Sequence, residues 1–320
     1  MVCGKFIGVV PLLGEDAFWK NNLFRSPASR TKNSVDSIPR ASGRTARCAD
    51  LDAACILENN YLRMRVTRFR TLIPAAIPVV AAIAAIACTD STSPDKTVFG
   101  PTIPIGNGTG RSYVEVSSDG EPLSIGVSLS ETALTGLPSA GTEFVFPLPS
   151  DEPVAPFNHA VVNWGPTGHP PAGVFTVPHF DVHFYTITPE ERAAILTLDP
   201  LFATKAARSP SAEFIPSGYT KDPGAVPRLG SHWTDPSGPE FNGQLFTRTF
   251  VYGSWDGVFT FYEPMVTKAV LDGKPALSVT SLKLAARYAK PGYYPTSYTI
   301  GYDTGTKEYR MGISGLVQRP

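Results

Sequence analysis

The chain has 320 residues, of which 42% are hydrophobic and 18% are charged, and this composition is typical of a globular protein rather than a disordered one. Its 28 basic residues balance its 28 acidic residues, which excludes a strongly basic nucleic-acid-binding protein on composition alone. The 31 prolines and 28 glycines favour a turn-rich β protein over a helical one.

Charge and cysteine are distributed unevenly along the chain. Residues 1–87 carry 12 Lys and Arg against 6 Asp and Glu, whereas residues 88–320 carry 16 against 22. All four cysteines lie at or before Cys88, so a disulfide framework is excluded for the rest of the chain.

An export signal precedes Cys88. Sixteen uncharged residues, 72–87, follow four arginines between positions 63 and 70. A basic segment, an apolar segment and small residues, in this order, are typical of a secretory signal peptide. The apolar run is shorter than the roughly 20 residues of a membrane-spanning helix. Because Met64 begins this segment, we interpret 64–87 as the signal peptide. Residues 1–63 are then either an upstream extension that is not translated or a translated, disordered N-terminal segment.

The end of this signal resembles a bacterial lipobox, in which a cysteine receives a diacylglyceryl group before cleavage. The matching residues are Ala85-Ile86-Ala87-Cys88, and the lipobox pattern prefers Leu at the first of these positions. We predict that Cys88 carries a lipid anchor that holds the protein in a bacterial cell envelope, with its domain in the periplasm or outside. Thr89 at the next position, where Asp is absent, favours the outer membrane. A plain secreted protein and a single-span anchor are the alternatives.

After the signal, the sequence changes from a linker composition to a strand pattern. Residues 88–112 are rich in Ser, Thr, Pro and Gly, which is typical of a linker. Apolar and polar residues alternate from Leu123 to Ser130, as in a half-buried strand. Further strands are predicted at 113–116, 143–148, 159–164, 174–187, 245–252, 258–263, 296–303 and 307–316.

One helix start is clear within this strand-rich region. Thr188, Pro189 and Glu191 form a capping box that predicts a helix to about residue 198. Residues 265–290 fit a strand or a helix equally well. We therefore predict a single domain over 113–320 of the mainly β class, an antiparallel sandwich or barrel with one or two short helices.

The histidines suggest a metal site. All five lie between residues 159 and 232, and period-two alternation places His179, Asp181 and His183 on one face of a predicted strand. His179 and His183 are then about 13 Å apart at the backbone, too far to share one metal on a straight strand. Either the strand bulges, or neighbours two residues apart act together, such as His179 with Asp181.

We predict that His179, His183, His232 and Glu263 bind a divalent metal, with His169 or Asp181 as a further group. Histidine with a carboxylate favours Zn or Fe(II), and an ionised glutamate beside Phe259 and Phe261 would be costly to bury without a cation. The alternative is an exposed polar face on which the histidines have no special role. No catalytic residue is assigned.

Three segments resemble an uncharacterised bacterial domain family with a thermophile prototype, found in secreted or lipid-anchored proteins. They are HPPAGVFTVPHFDVHFY at 169–185, GSHW at 230–233 and YGSWDGVFTFYEPM at 252–265. The resemblance extends over residues 110–316 and implies a β-rich domain and a homo-oligomer, without an established activity. The signature positions that carry over are His169, His179, Asp181, His183, His232 and Glu263.

The first functional interpretation is a lipid-anchored envelope protein whose β-rich domain binds a metal or a small ligand. The second is a metal-dependent hydrolase or oxygenase that uses Glu263 as ligand or base. The third is a structural, oligomer-forming surface protein. Bound metal separates the third from the others, and an open coordination position in a pocket separates the second from the first. The partners predicted are a membrane and further copies of the chain, without nucleic acid.

Overall fold

The computed structural model describes residues 94–320. In this part of the chain, segments with period-two alternation form β-strands. The strands are β1 (Pro94–Phe99), β2 (Ile103–Ile105), β3 (Gly108–Ser117), β4 (Pro122–Ser130), β5 (Thr142–Pro147), β6 (His159–Gly165), β7 (His179–Tyr185), β8 (Thr220–Lys221), β9 (Ser231–Thr234), β10 (Arg248–Trp255), β11 (Val258–Thr267), β12 (Ser278–Ser281), β13 (Gly292–Tyr294), β14 (Ser297–Asp303), β15 (Glu308–Ser314) and β16 (Val317–Arg319).

Helices are few and short in this part of the chain. The α-helices are α1 (Pro189–Ala193), α2 (Phe202–Ala207) and α3 (Lys268–Asp272), and single 3-10 turns cover Glu131–Leu134, Ala212–Phe214 and Pro239–Phe241. Between residues 94 and 320, no helix has the length and apolar character needed to cross a membrane. The predicted signal peptide, the upstream extension and Cys88 lie outside the described residues.

Two antiparallel sheets pack face to face as a sandwich. The first sheet has the order β1-β3-β4-β15-β14-β12, with β2 paired to β3, and the second has the order β5-β6-β7-β11-β10-β9-β8. Strands β13 and β16 form a small separate pair. The predicted fold class, mainly β with antiparallel sheets, is confirmed. Of the two predicted architectures, residues 94–320 adopt the sandwich and not a closed barrel.

The main core lies between the two sheets. The second sheet contributes Phe180, Val182 and Phe184 of β7, and the first sheet contributes Ile125 and Val127 of β4, all five fully buried. Because neighbouring residues of a strand point to opposite faces, the histidines of β7 point away from this core. Every residue of β7 is nevertheless buried, since loop segments cover the outer face of the second sheet.

Two small apolar clusters hold these covering segments in place. One consists of Phe175, Phe246, Val251 and Met265. The other consists of Val161, Tyr185 and Phe261, with Ile187 and Leu229 packed against them. The polar residues of β7 therefore lie in a buried strip flanked by apolar side chains.

An ion-pair cluster attaches α1 to the same outer face. Both terminal nitrogens of Arg192 in α1 donate to the carboxylate of Glu143 in β5, one of them at 3.0 Å to Oε1. Arg228 adds a contact of 3.3 Å to the same oxygen. The side chains of Arg192 and Glu143 are only 8% and 10% exposed, so this is a buried pair.

The predicted linker over 88–112 needs correction where the structure describes it. Residues 94–112 contain β1, β2 and the start of β3, and β1 pairs with β3 from Pro94 opposite Ser117 to Phe99 opposite Tyr113. An edge strand can be polar because one of its sides faces solvent, so Ser, Thr and Pro did not prevent pairing. The glycine-rich stretch is a hairpin turn, in which Gly106 adopts a φ of +56° that favours glycine.

Some predicted elements have different limits. The predicted helix start is confirmed, since Thr188 Oγ1 accepts from the Glu191 backbone N–H and Glu191 accepts from that of Thr188, but α1 ends at Ala193. The strand predicted over 174–187 is shorter, because residues 171–178 form a covering loop with proline at both ends. The ambiguous 265–290 region holds the end of β11, then α3, then β12.

Candidate metal centres

Strand register brings distant residues together on the outer face of the second sheet. In the β7–β11 pair, Phe261 is opposite Tyr185 and Met265 is opposite Asp181. Glu263, midway between Phe261 and Met265, therefore comes beside His183. The sequence alone predicts which residues share a face of β7, and the pairing with β11 supplies the carboxylate.

The structure divides the six predicted residues between two groups. His169, His179 and Asp181 form one group, which we call the His179 triad, and His183, His232 and Glu263 form the other, the His183 triad. Within each triad the potential ligand atoms lie within 4.8 Å of one another. The structure therefore places His179 and His183 in different groups. The reason is the one that the strand rise predicts, since β7 is too extended for residues four apart to meet.

In the His179 triad, two histidine rings face one carboxylate. Nε2 of His179 is 3.0 Å from Asp181 Oδ1, and Nε2 of His169 is 3.6 Å from Asp181 Oδ2. Nδ1 of His179 lies 2.7 Å from the Val177 carbonyl oxygen, and Nδ1 of His169 lies 2.8 Å from that of Pro170. A carbonyl only accepts, so Nδ1 carries the proton and, in a neutral ring, Nε2 presents its lone pair to Asp181.

Two ring nitrogens and a carboxylate directed at the same space can hold a cation, either a proton or a metal ion. His179 Nε2 and Asp181 Oδ1 are both buried without a hydrogen bond of good geometry. Burial alone would raise the pKa of Asp181, but positive charge on the rings of His179 and His169 and the hydrogen bonds that these rings then donate outweigh burial, and hold that pKa well below its usual range. A backbone carbonyl that holds the far nitrogen of each ring is the usual support of a metal-binding histidine.

The His183 triad is more deeply buried. Nε2 of His183 is 3.3 Å from Glu263 Oε1, and both side chains are 2% exposed. Nε2 of His232 is 3.9 Å from Glu263 Oε2, and His232 is 22% exposed. The ring of His183 faces the backbone of Val161 on one side and Glu263 on the other, and Glu263 Oε2 is buried without a hydrogen bond. Since a buried polar atom without a partner is costly, this carboxylate beside two rings is the strongest indication that the group can hold a cation.

Burial also sets the charges of the His183 triad. Burial lowers the pKa of His183 to about 3 and that of His232 to about 4. Burial, with the nearby charges of Asp181 and Asp222, raises the pKa of Glu263 well above its usual range. The histidines are thus neutral, as a metal ligand must be, and a divalent ion would restore a charged glutamate.

A glycine makes room for the His183 triad. His232 of β9 is opposite Gly253 of β10, and Gly253 is opposite Phe261 of β11. A Cβ atom on Gly253 would lie 1.9 Å from the Phe261 ring. That ring in turn contacts His183 and His232, with centroid separations of 4.8 and 5.5 Å. His232 therefore reaches towards Glu263 across a strand that carries no side chain at that point.

Sequence reasoning missed several residues around these triads. Asn163 is opposite Asp181 in the β6–β7 pair, and its side-chain oxygen is buried without a partner. The charge of Asp222 contributes, after burial and the charge of Asp181, to the raised pKa of Glu263. Gly253 was visible only as a hairpin glycine. The fifth histidine, His159, joins neither triad: its ring stacks on Tyr185 at 4.7 Å, and burial lowers its pKa to about 4.

The donor set of each triad suits a divalent transition metal. Two histidines and one carboxylate are the protein ligands of His₂Glu zinc sites and of non-haem Fe(II) sites, both of which keep open positions. Around a tetrahedral ion with bonds of about 2.1 Å, neighbouring ligand atoms are about 3.4 Å apart. The four histidine–carboxylate separations of 3.0, 3.6, 3.3 and 3.9 Å bracket this value, and all ligand atoms of a triad lie within 4.8 Å of one another.

Comparison with known proteins gives one partial match. A family model described as TTHB210-like, hypothetical protein TTHB210, matches residues 117–164. This match agrees with a resemblance to an uncharacterised family, and the matched segment ends before His169, so none of the six triad residues lies in it. No curated protein and no solved structure matches the chain.

Proposed function

We propose that the β-sandwich is a metal-binding domain with two mononuclear sites, the His179 triad and the His183 triad, each for Zn or Fe(II). The observation that carries this proposal is the pair formed by His183 Nε2 and the Glu263 carboxylate, which lie 3.3 Å apart, are both 2% exposed, and include a buried Glu263 Oε2 without a hydrogen bond. Buried polar atoms of this kind normally have a partner.

Strand geometry favours two separate ions over a bridged pair. Asp181 and His183 are two residues apart on β7, which corresponds to about 7 Å of strand. The ions of bridged two-metal catalytic sites are only about 3.5–4 Å apart. We therefore expect each ion to keep its own ligands, with Asp181 serving only the His179 triad.

Metal analysis of the purified full chain tests the proposal. We expect two equivalents of Zn or Fe per chain, because each triad supplies three ligands. His179→Ala and His183→Ala should each retain one equivalent, and the double variant should retain none. His159→Ala is the matched control, since His159 lies on the same face outside both triads, and it should retain two equivalents.

Two results would contradict the proposal. One is a stable wild-type chain that takes up neither Zn nor Fe on titration, which would leave the structural, oligomer-forming interpretation. The other is a His183→Ala variant that still binds two equivalents.

A metal-dependent hydrolase or oxygenase is the second candidate function. The favouring observation is that three protein ligands leave coordination positions open for water or substrate. His232 and His169, at 22% and 31% exposed, are the ligands through which solvent reaches the two triads. In this case the triads would be catalytic centres.

We also propose that Cys88 anchors the chain by a lipid in the outer membrane of a bacterial cell envelope. The support is the sequence order of basic segment, apolar segment, lipobox-like residues and cysteine. In cells supplied with labelled fatty acid, we expect label in the wild type and none in Cys88→Ser. Ser91→Ala, in the segment just after Cys88, is the matched control and should keep the label. Label in the Cys88→Ser chain would refute the anchor.

A further inference from the structure

A second site lies on the other face of β11, away from both triads. Tyr262 and Glu263 are successive residues of this strand, so their side chains point to opposite faces. Glu263 belongs to the His183 triad, whereas Tyr262 lines a cavity of about 120 Å³ at one end of the sandwich. A closed apolar cavity of about 150 Å³ holds a benzene molecule, so this smaller cavity can take one ring only if a substituent of the ring extends out through the open mouth.

Five aromatic rings line the cavity. Tyr288 and Tyr294 lie 4.0 Å apart between ring centroids, and Tyr294 is 6.1 Å from Tyr262. Two phenylalanines, Phe214 and Phe259, complete the set of rings. Rings in such arrangements attract a further ring by stacking or edge contact, which favours a flat aromatic ligand.

The inner part of the cavity offers one hydroxyl group. Tyr262 is 6% exposed, and within residues 94–320 its hydroxyl forms no hydrogen bond, whereas that of the neighbouring Tyr294 donates to the Lys290 carbonyl oxygen at 2.9 Å. Because this hydroxyl group is accessible from the cavity, it can donate to a ligand there. An oxygen atom on the inner end of a ligand would accept from Tyr262.

The mouth of the cavity is positively charged. Arg287 and Lys290 line it and are exposed, and neither pairs with a carboxylate among the described residues. No acidic residue lines the cavity within that part of the chain. A carboxylate on the outer end of a ligand would therefore meet two cations.

The walls are already held in position. The Arg287 backbone N–H donates to the Glu213 carbonyl oxygen at 2.9 Å, which joins the two loops that form the mouth. Lys290 Nζ lies 3.4 Å from the Thr186 carbonyl oxygen. A cavity fixed in this way needs little ordering when it binds a ligand.

We propose that this cavity binds a single-ring aromatic carboxylate with a second oxygen para to the carboxylate. The ring packs among the tyrosines and phenylalanines, the inner oxygen accepts from Tyr262, and the carboxylate meets Arg287 and Lys290. A para arrangement follows because Tyr262 is buried whereas Arg287 and Lys290 are exposed, which places the hydroxyl group and the cations at different depths of the cavity.

Calorimetric titration of the full chain with three probes tests this assignment. The probes are 4-hydroxybenzoate, benzoate, which lacks the inner oxygen, and 4-hydroxybenzyl alcohol, which lacks the charge. We expect 4-hydroxybenzoate to bind most tightly, with the alcohol about tenfold weaker because a charge-assisted contact is lost. Removal of metal by a chelator should leave these affinities unchanged, because the triads lie on the opposite face.

Tyr262→Phe is the decisive variant, because it removes only the hydroxyl and keeps the ring. It should weaken 4-hydroxybenzoate to the affinity of benzoate and leave benzoate unchanged. Arg287→Met combined with Lys290→Met should weaken both acids, whereas Lys268→Met on α3 is the control and should change neither. Ala289→Trp at the mouth should block both acids in a folded chain.

The assignment is overturned if neither acid shows saturable binding to the wild type. It is also overturned if Tyr262→Phe weakens both acids equally, or if Ala289→Trp binds them as the wild type does.

Discussion

Gly253→Ala is expected to lower the free energy of unfolding by about 3 kcal/mol and to remove one metal equivalent, that of the His183 triad. The added Cβ would lie 1.9 and 2.0 Å from two atoms of the Phe261 ring. Phe261 is fully buried, so the ring cannot move into solvent, and its displacement would push on His183 and His232. Urea unfolding of the metal-free chain measures the first effect, and metal analysis measures the second.

Gly165→Ala is the matched control for this variant. Gly165 ends β6, beside His179, and a Cβ there would meet its nearest atom at an ordinary 3.5 Å. We expect this substitution to change the unfolding free energy by less than about 0.5 kcal/mol. If the two variants were equally stable and both bound two equivalents, Gly253 would not hold the His183 triad open.

Glu143→Ala is expected to lower the free energy of unfolding by about 3–5 kcal/mol. The carboxylate of Glu143 accepts hydrogen bonds from both terminal nitrogens of Arg192 and forms an ion pair with Arg228. Its removal would leave the buried guanidinium of Arg192 without its carboxylate partner. Because Arg192 joins α1 to the second sheet, the segment after β7 should lose its attachment, which thermal unfolding would detect.

A double variant separates the cost of an unpaired charge from the value of the pair. Glu143→Leu combined with Arg192→Met removes both charges and keeps apolar volume, so most of the stability should return. Glu152→Ala is the surface control: it breaks an ion pair with Lys96, which is 55% exposed, and should cost less than about 1 kcal/mol. A double variant no more stable than Glu143→Ala would show that packing, and not charge, dominates there.

The local part of this architecture was predictable from sequence. Period-two alternation is a property of each strand by itself, so it places His179, Asp181 and His183 on one face of β7 and Phe180, Val182 and Phe184 on the other. The capping box at Thr188 is likewise local, and the start of α1 was predicted at the correct residue.

Long-range pairing was not predictable in the same way. Nothing near His183 in the sequence specifies that β11 pairs with β7 at the register that brings Glu263 alongside, or that β9 approaches across Gly253. The composition of residues 94–112 indicated a linker because the pairing of β1 with β3 is decided by neighbouring strands and not by Ser, Thr and Pro content. His169 reaches Asp181 only because residues 171–178 fold back over the sheet.

The two triads differ in how much of the chain each one needs, and this difference has a consequence for the order of folding. The His179 triad lies within residues 169–181, so a chain that has formed little more than the β6–β7 hairpin and its loop already holds all three ligands. The His183 triad needs three strands, β7, β9 and β11, that are far apart in the chain. Contacts between distant segments form late because bringing such segments together costs loop-closure entropy before any contact forms. An early folding intermediate would thus capture metal at the His179 triad alone, and uptake at the His183 triad would report that the second sheet is complete.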